Sequence, residues 1–181
     1  MPIYENIPTI SYYPNPELKA RAIFHGMNFE SILDVGAGHG GVFDLDRWEN
    51  DPKVLKKEAC DIYWIRDLPS SWTTKLQVNV LELDKYYLEN EFDFVQCCEV
   101  LEHVPDNKKA LKQLIRVAKK AVFITSADEM HHLGEEQEAI EKINQYQAYV
   151  KQPSIEDLLE LGFEIRIEEK EKRQIIAWYL K

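Results

Sequence analysis

From Pro14 onward the chain switches repeatedly between helical and strand-like periodicity, and that alternation leaves few folds open to it. It is the pattern of an α/β domain in which a mostly parallel sheet is covered by helices. Asn15 as N-cap, Pro16 at the first helical position and Gly26 as a stop frame a helix over Pro16–His25, leading into a strand at Ser31–Val35. Glycines follow, and then Val42–Lys57, where Pro52 predicts a short or broken helix.

Short apolar runs bounded by polar residues predict a second strand at Glu58–Ile62, a third at Lys75–Val80 and a fourth at Phe92–Cys98. The segment Asn107–Lys120 places Ala110, Leu111, Leu114, Ile115 and Ala118 on one helical face, and Ala121–Thr125 follows as a fifth strand. Glu135–Val150 carries Ile140, Ile143, Tyr146 and Val150 on one side, with Glu135, Glu136 and Glu138 near its start, and reads as a helix inserted within residues 126–153. Ser154 with Asp157 forms a capping box for Ile155–Leu161, which Gly162 closes. Phe163–Glu169 and Gln174–Leu180 predict a closing hairpin.

With 181 residues and 45% hydrophobic content, the chain suits a single domain over 1–181 with its own core. A net charge of -10 disfavours nucleic-acid partners, which usually meet a basic face. Three cysteines, Cys60, Cys97 and Cys98, lie in apolar stretches and suit a reducing compartment, so the expected location is cytoplasmic. No apolar run approaches the ~20 residues of a membrane span, and the N-terminus has no signal-peptide pattern.

Within "SILDVGAGHGGVF", Ser31–Phe43, Gly36, Gly38 and Gly41 satisfy the dinucleotide pattern G-x-G-x-x-G, with Asp61 about twenty residues on. Gly36, Gly38 and Gly40 satisfy a second spacing, preceded by Asp34. A carboxylate just before the loop opposes a pyrophosphate but suits a cofactor that carries an ammonium group. S-adenosylmethionine has that ammonium, together with a carboxylate for the loop amides and a ribose diol for a later acid.

At "ILDVGAGHG", Asp61, "VNVLEL" and "FDFVQCCEVLEHVPD" running into "ALKQLIRVAKKAVFIT", the sequence resembles the class I S-adenosylmethionine-dependent methyltransferases, in particular a small branch with an "EVLEHV" segment after the fourth strand. The resemblance implies a Rossmann-like seven-stranded sheet with its last strand antiparallel, helices on both faces and the cofactor across the C-terminal strand ends. By the same resemblance Gly36, Ala37, Gly38 and Gly40 admit the methionine part, Asp34 stabilises the loop or the ammonium, and Asp61, followed by Ile62, takes the ribose hydroxyls. Asn79 stands where the family usually has an aspartate for the adenine amino group, Val80 offers a backbone donor, and Cys98 lines the site beside the sulfur. The stretch "AKKAV" lacks the family's usual proline and glycine turn before the fifth strand.

Methyl transfer is an in-line displacement in which a base is optional. Glu99 and His103 are the candidate catalytic residues, set against the simpler reading that "EVLEHVPD" only begins the next helix. Glu99, Glu102 and His103 also have the E-x-x-E-H form that binds a divalent metal in methyltransferases of RNA 3'-terminal riboses, and His131 or His132 could complete it; the primary expectation is nonetheless no metal. The expected partner is a small-molecule acceptor, with the chain a monomer or homodimer. A non-catalytic cofactor-binding module is the other alternative, and a nicotinamide-dependent reductase comes last. Tyr12 and Tyr13 read either as a lid or as cover for the first helix.

Overall fold

The computed structural model describes residues 23–38, 51–62, 68, 70–127, 151–168 and 174–181. The helices expected over Pro16–His25 (apart from its last residues) and over Glu135–Val150 lie outside the described residues, as do residues 42–50 of the segment after the glycines and Tyr12, Tyr13, Gly40, Gly41, His131 and His132; the rest of that segment is not helical, with a turn at Pro52 and Lys53 and strand from Lys56.

Seven strands make one sheet: β1 (Ser31–Val35), β2 (Lys56–Asp61), β3 (Thr73–Leu76), β4 (Phe92–Cys98), β5 (Ala118–Ala127), β6 (Glu164–Glu168) and β7 (Gln174–Leu180). Their order is β3-β2-β1-β4-β5-β7-β6. The first five run parallel, and β7 is antiparallel to both β5 and β6. Chain order reverses direction between β1 and β4, so their C-terminal ends flank the crevice where doubly wound sheets bind ligands.

β4 is buried at every position, as a central strand covered on both faces must be. The two-residue period sorts neighbours to opposite sides. Leu33, Val95 and Val122 pack against Leu111 and Leu114 of α1 (Asn107–Val117) and Leu158 of α2 (Ile155–Glu160). Ile32, Phe94 and Phe123 pack on the other face with Phe24, Phe29 and Trp178.

Local signals hold where the residues that give them lie close together. The Ser154 hydroxyl accepts from the Asp157 amide at 3.0 Å, and Gly162 ends the segment at φ +86°. Several boundaries move. The second strand covers Lys56–Asp61 instead of Glu58–Ile62, and the sixth Glu164–Glu168 instead of Phe163–Glu169. The third strand covers Thr73–Leu76 instead of Lys75–Val80, because Gln77 turns into the left-handed region at φ 62° and Asn79 caps a 3-10 helix, Val80–Lys85. The helix expected over Asn107–Lys120 ends at Val117, and β5 begins at Ala118, which pairs with Phe92. A register irregularity between Phe92 and Phe94 absorbs the early start, so helix passes into strand without the family's turn.

Candidate cofactor and acceptor site

The C-terminal end of β1 opens into the glycine turn. The amides of Gly36 and Ala37 both donate to the Cys60 carbonyl, at 2.8 and 3.1 Å, folding the turn over the end of β2. Gly36 adopts φ +77° and Gly38 φ +40°, conformations that L side chains rarely take. A Cβ on Gly36 would overlap the side chain of Val100, just beyond β4. The turn therefore seats backbone directly against the neighbouring strand exit.

β2 ends at Asp61, and its carboxylate accepts from the Gly38 amide at 2.9 Å. Asp34, two residues before the turn, is 1% exposed, and Ala37 is buried. Ile62 follows Asp61, half-buried. Val78 donates to the Asp61 carbonyl at 3.0 Å, which brings Asn79 and the buried Val80 to the same edge. The Asn79 side-chain oxygen accepts from the Leu81 amide at 2.9 Å, so one of its lone pairs serves as a helix cap.

Beyond β4, Glu99 sits at φ 54°, unusual for a glutamate. Two contacts hold it there. Its amide donates to the Thr125 carbonyl at 2.9 Å, and its carboxylate accepts from the Gln174 amide at 2.6 Å. Strained backbone of this kind concentrates at functional sites.

Glu102 belongs to the 3-10 helix Leu101–His103 and is fully buried, accepting from the Ser126 hydroxyl at 2.9 Å. It is thus turned into the structure while Glu99 remains partly exposed at the edge. The His103 amide donates to the Val100 carbonyl at 3.0 Å, and its ring is half-buried. Lys151 donates to the Glu102 carbonyl at 3.2 Å and the Gln152 side chain to the Ser126 carbonyl at 3.0 Å, tying the return of the chain at 151 to the same corner.

Cys98 ends β4, 3% exposed. Burial pushes its thiol well above the usual range, and burial likewise raises Cys97 and brings Cys60 up to about 12. None is a nucleophile at neutral pH.

A family described as a methyltransferase domain matches residues 9–166. The chain belongs to this methyltransferase-domain family. Among solved structures, a Bacillus halodurans protein provisionally described as a methyltransferase aligns with TM-score 0.60 at 15% identity, over 91% of this chain and 97% of that one. The N-terminal domain of EvdMO1, solved in the presence of S-adenosylhomocysteine and D-fucose, aligns with TM-score 0.63 at 17% identity, over 93% of this chain and 83% of that one. Phosphoethanolamine N-methyltransferase 2 of Haemonchus contortus, solved with S-adenosylmethionine, aligns with TM-score 0.59 at 16% identity, over 87% of this chain and 50% of that one. At these identities the likeness is one of fold, and it is the Rossmann-like fold expected from the sequence.

In this methyltransferase domain the structure brings Asp34, Gly36, Ala37, Gly38, Asp61, Asn79, Val80, Cys98, Glu99 and His103 to one edge of the sheet, on strand ends, the turns after them or the short 3-10 helices that follow. No three His, Cys, Asp or Glu side chains among the described residues form a metal-binding group. Val100, Ser126, Gln152 and Gln174 were not singled out by sequence reasoning. Val100 lies within the "EVLEHV" segment but has no polar group to mark it; the other three carry no motif, and only the sheet order sets them beside the site.

Proposed function

We propose that this methyltransferase uses S-adenosylmethionine and transfers its methyl group to an oxygen or nitrogen of a small-molecule acceptor. The observation that carries this reading is the Gly38 amide bound to Asp61 beneath a turn in which Gly36 leaves no space for a Cβ. Such a turn presents backbone to a ligand, with one carboxylate ahead of it and another at the next strand end. The residues present fit the cofactor: Asp34 suits an ammonium, and Asp61 retains lone-pair capacity for ribose hydroxyls while it holds Gly38.

When bound, S-adenosylmethionine supplies a methyl group activated by a positively charged sulfur. The chain's contribution is chiefly alignment. In this reading Asp61 fixes the ribose, while the Val80 amide and the remaining acceptor capacity of Asn79 meet the adenine. Ile62 packs beside it. Cys98 lines the floor through its backbone.

Glu99 takes the acceptor's proton when the acceptor is a hydroxyl, and His103 shares or relays that role. The Gln174 contact supports this assignment, because a base must be held in one orientation to act in line. Asp61 and Glu99 lie half-buried at this edge with Asp34 just beneath it, which favours neutral or cationic acceptors over anionic ones. The net charge of -10 points the same way.

The reading also puts the chain in the cytoplasm as a monomer or homodimer, supported by three cysteines that are all free and buried. No described helix is long and apolar enough to cross a membrane.

Isothermal titration of the chelator-treated protein with S-adenosylhomocysteine tests the central claim. One site per chain in the micromolar range, ~8 kcal/mol at 1 μM, is the expected result. Absence of heat, with no copurified ligand to displace, would overturn it.

A further inference from the structure

Gln96 is fully buried in the middle of β4, and neither its amide oxygen nor its amide nitrogen meets a hydrogen-bond partner among the described residues. Burying an unpaired amide is destabilising, and an apolar residue would fill the same space without that cost. The strand otherwise follows the apolar rule around it, with Phe94, Val95, Cys97 and Cys98 all buried in the core.

Its direction can be read from its neighbours. Phe94 and Cys98, two residues away on either side, both belong to the layer containing Ile32, Ala59 and Phe123, so Gln96 lies on that face. Across the β1–β4 pair Gln96 is in register with Asp34, and Asp34 shares that face with Ile32, two residues before it. A carboxylate and a carboxamide thus lie side by side, 1% and 0% exposed, in a layer that is apolar apart from them and Thr125, two residues beyond Phe123. The next step along β1 is the Gly36–Gly38 turn, so the pair forms the floor beneath it.

We propose that Gln96 is a positioning residue for the amino-acid end of the cofactor, linked to Asp34 through one ordered water. The inference rests on the cofactor assignment above. A carboxamide is suited to this task because it can both donate to and accept from a bridging water, and so orient Asp34, without adding charge. A buried water needs two to four polar partners, and Asp34 with both ends of Gln96 supplies them. The unpaired amide is then a stability cost maintained for binding, in line with the strain at Glu99 on the same strand's exit.

The test compares two ligands in the full chain and in Gln96→Met, a change that keeps side-chain length. S-adenosylhomocysteine carries the amino-acid end, and 5'-methylthioadenosine has the same adenosine thioether without it. The expected result is about tenfold weaker binding of S-adenosylhomocysteine, a charge-assisted hydrogen bond's worth, with methylthioadenosine changed by less than about twofold. The unliganded variant should melt about 2–4 °C higher. In an Asp34→Asn background the same change should weaken S-adenosylhomocysteine far less, because Gln96 acts through Asp34.

Unchanged S-adenosylhomocysteine affinity in a folded variant would overturn the inference, and so would equal weakening of both ligands. Gln96→Leu carries the same prediction with different packing, so misfolding of one variant does not decide the matter. Failure of the unaltered chain to bind either ligand would instead overturn the cofactor assignment, and this inference with it.

Discussion

Replacing Gly36 by alanine places two separable penalties on one atom. The first is conformational: at φ +77° an L residue sits in the left-handed region, at about 1–2 kcal/mol. The second is steric, because the new methyl group overlaps the Val100 side chain and one strand exit must move, at about 1–3 kcal/mol by analogy with overpacked cores. Together they predict a loss of about 2–5 kcal/mol, within the 5–15 kcal/mol typical of a domain, so the variant should still fold. Urea unfolding followed by circular dichroism measures the loss, read at constant m.

Two controls divide it. Gly26→Ala has a similar φ, +84°, but an added Cβ there meets nothing within 4 Å, so only the conformational part of about 1–2 kcal/mol should appear. Val100→Ala removes the overlapping γ-methyl groups and leaves only its Cβ, at 3.2 Å, so Gly36→Ala introduced into that background should lose little more than Gly26→Ala does. A coupling between positions 36 and 100 below about 0.5 kcal/mol would refute the claim that the turn is seated against Val100. Binding of S-adenosylhomocysteine should follow the steric part and recover in the double variant if the turn returns to its place.

Asp61→Ala removes the acceptor for the Gly38 amide and should cost about 1 kcal/mol of stability, while weakening S-adenosylhomocysteine at least about tenfold by titration. Asp93 lies at the opposite end of the sheet, where burial raises its carboxyl but the Glu30 amide and Lys120 outweigh this and hold it below its usual value. A depressed folded pKa stabilises the protein above the unfolded value of 3.8 and is lost as pH falls through the folded value. Asp93→Asn should therefore destabilise by about 1–2 kcal/mol at pH 7, with the difference from the parent shrinking below pH 3.8 in acid-unfolding curves. Cys60, Cys97 and Cys98 should all resist a thiol reagent in the native protein at pH 8 and react together after denaturation, since burial keeps each protonated and covered.

The elements that rest on local periodicity were legible in the sequence: β1 and β4 end where their apolar runs end, and Ser154 caps α2 as its spacing predicts. The glycine turn and Asp61 were legible too, because the backbone conformation of a turn and the residue ending a strand are written in adjacent positions. The third strand was misplaced for the complementary reason. Leu76, Val78 and Val80 alternate like a strand, yet Leu76 is 53% exposed while Val78 and Val80 are buried beyond a kink at Gln77. No local pattern distinguishes an edge strand that stops from one that continues.

Tertiary structure alone decided which side chains complete the site. Glu99 meets Gln174 across 75 residues of chain and Glu102 meets Ser126 across 24, while Gly36 meets Val100, because the sheet order sets β4 between β1 and β5 with β7 beyond. Periodicity reports which face of an element is apolar, since that depends on neighbours one or two turns away. Strand order and register depend on the packing of the whole core, and so the placing of Gln96 beside Asp34 and the partners of Glu99 follow from the fold and not from the motifs beside them.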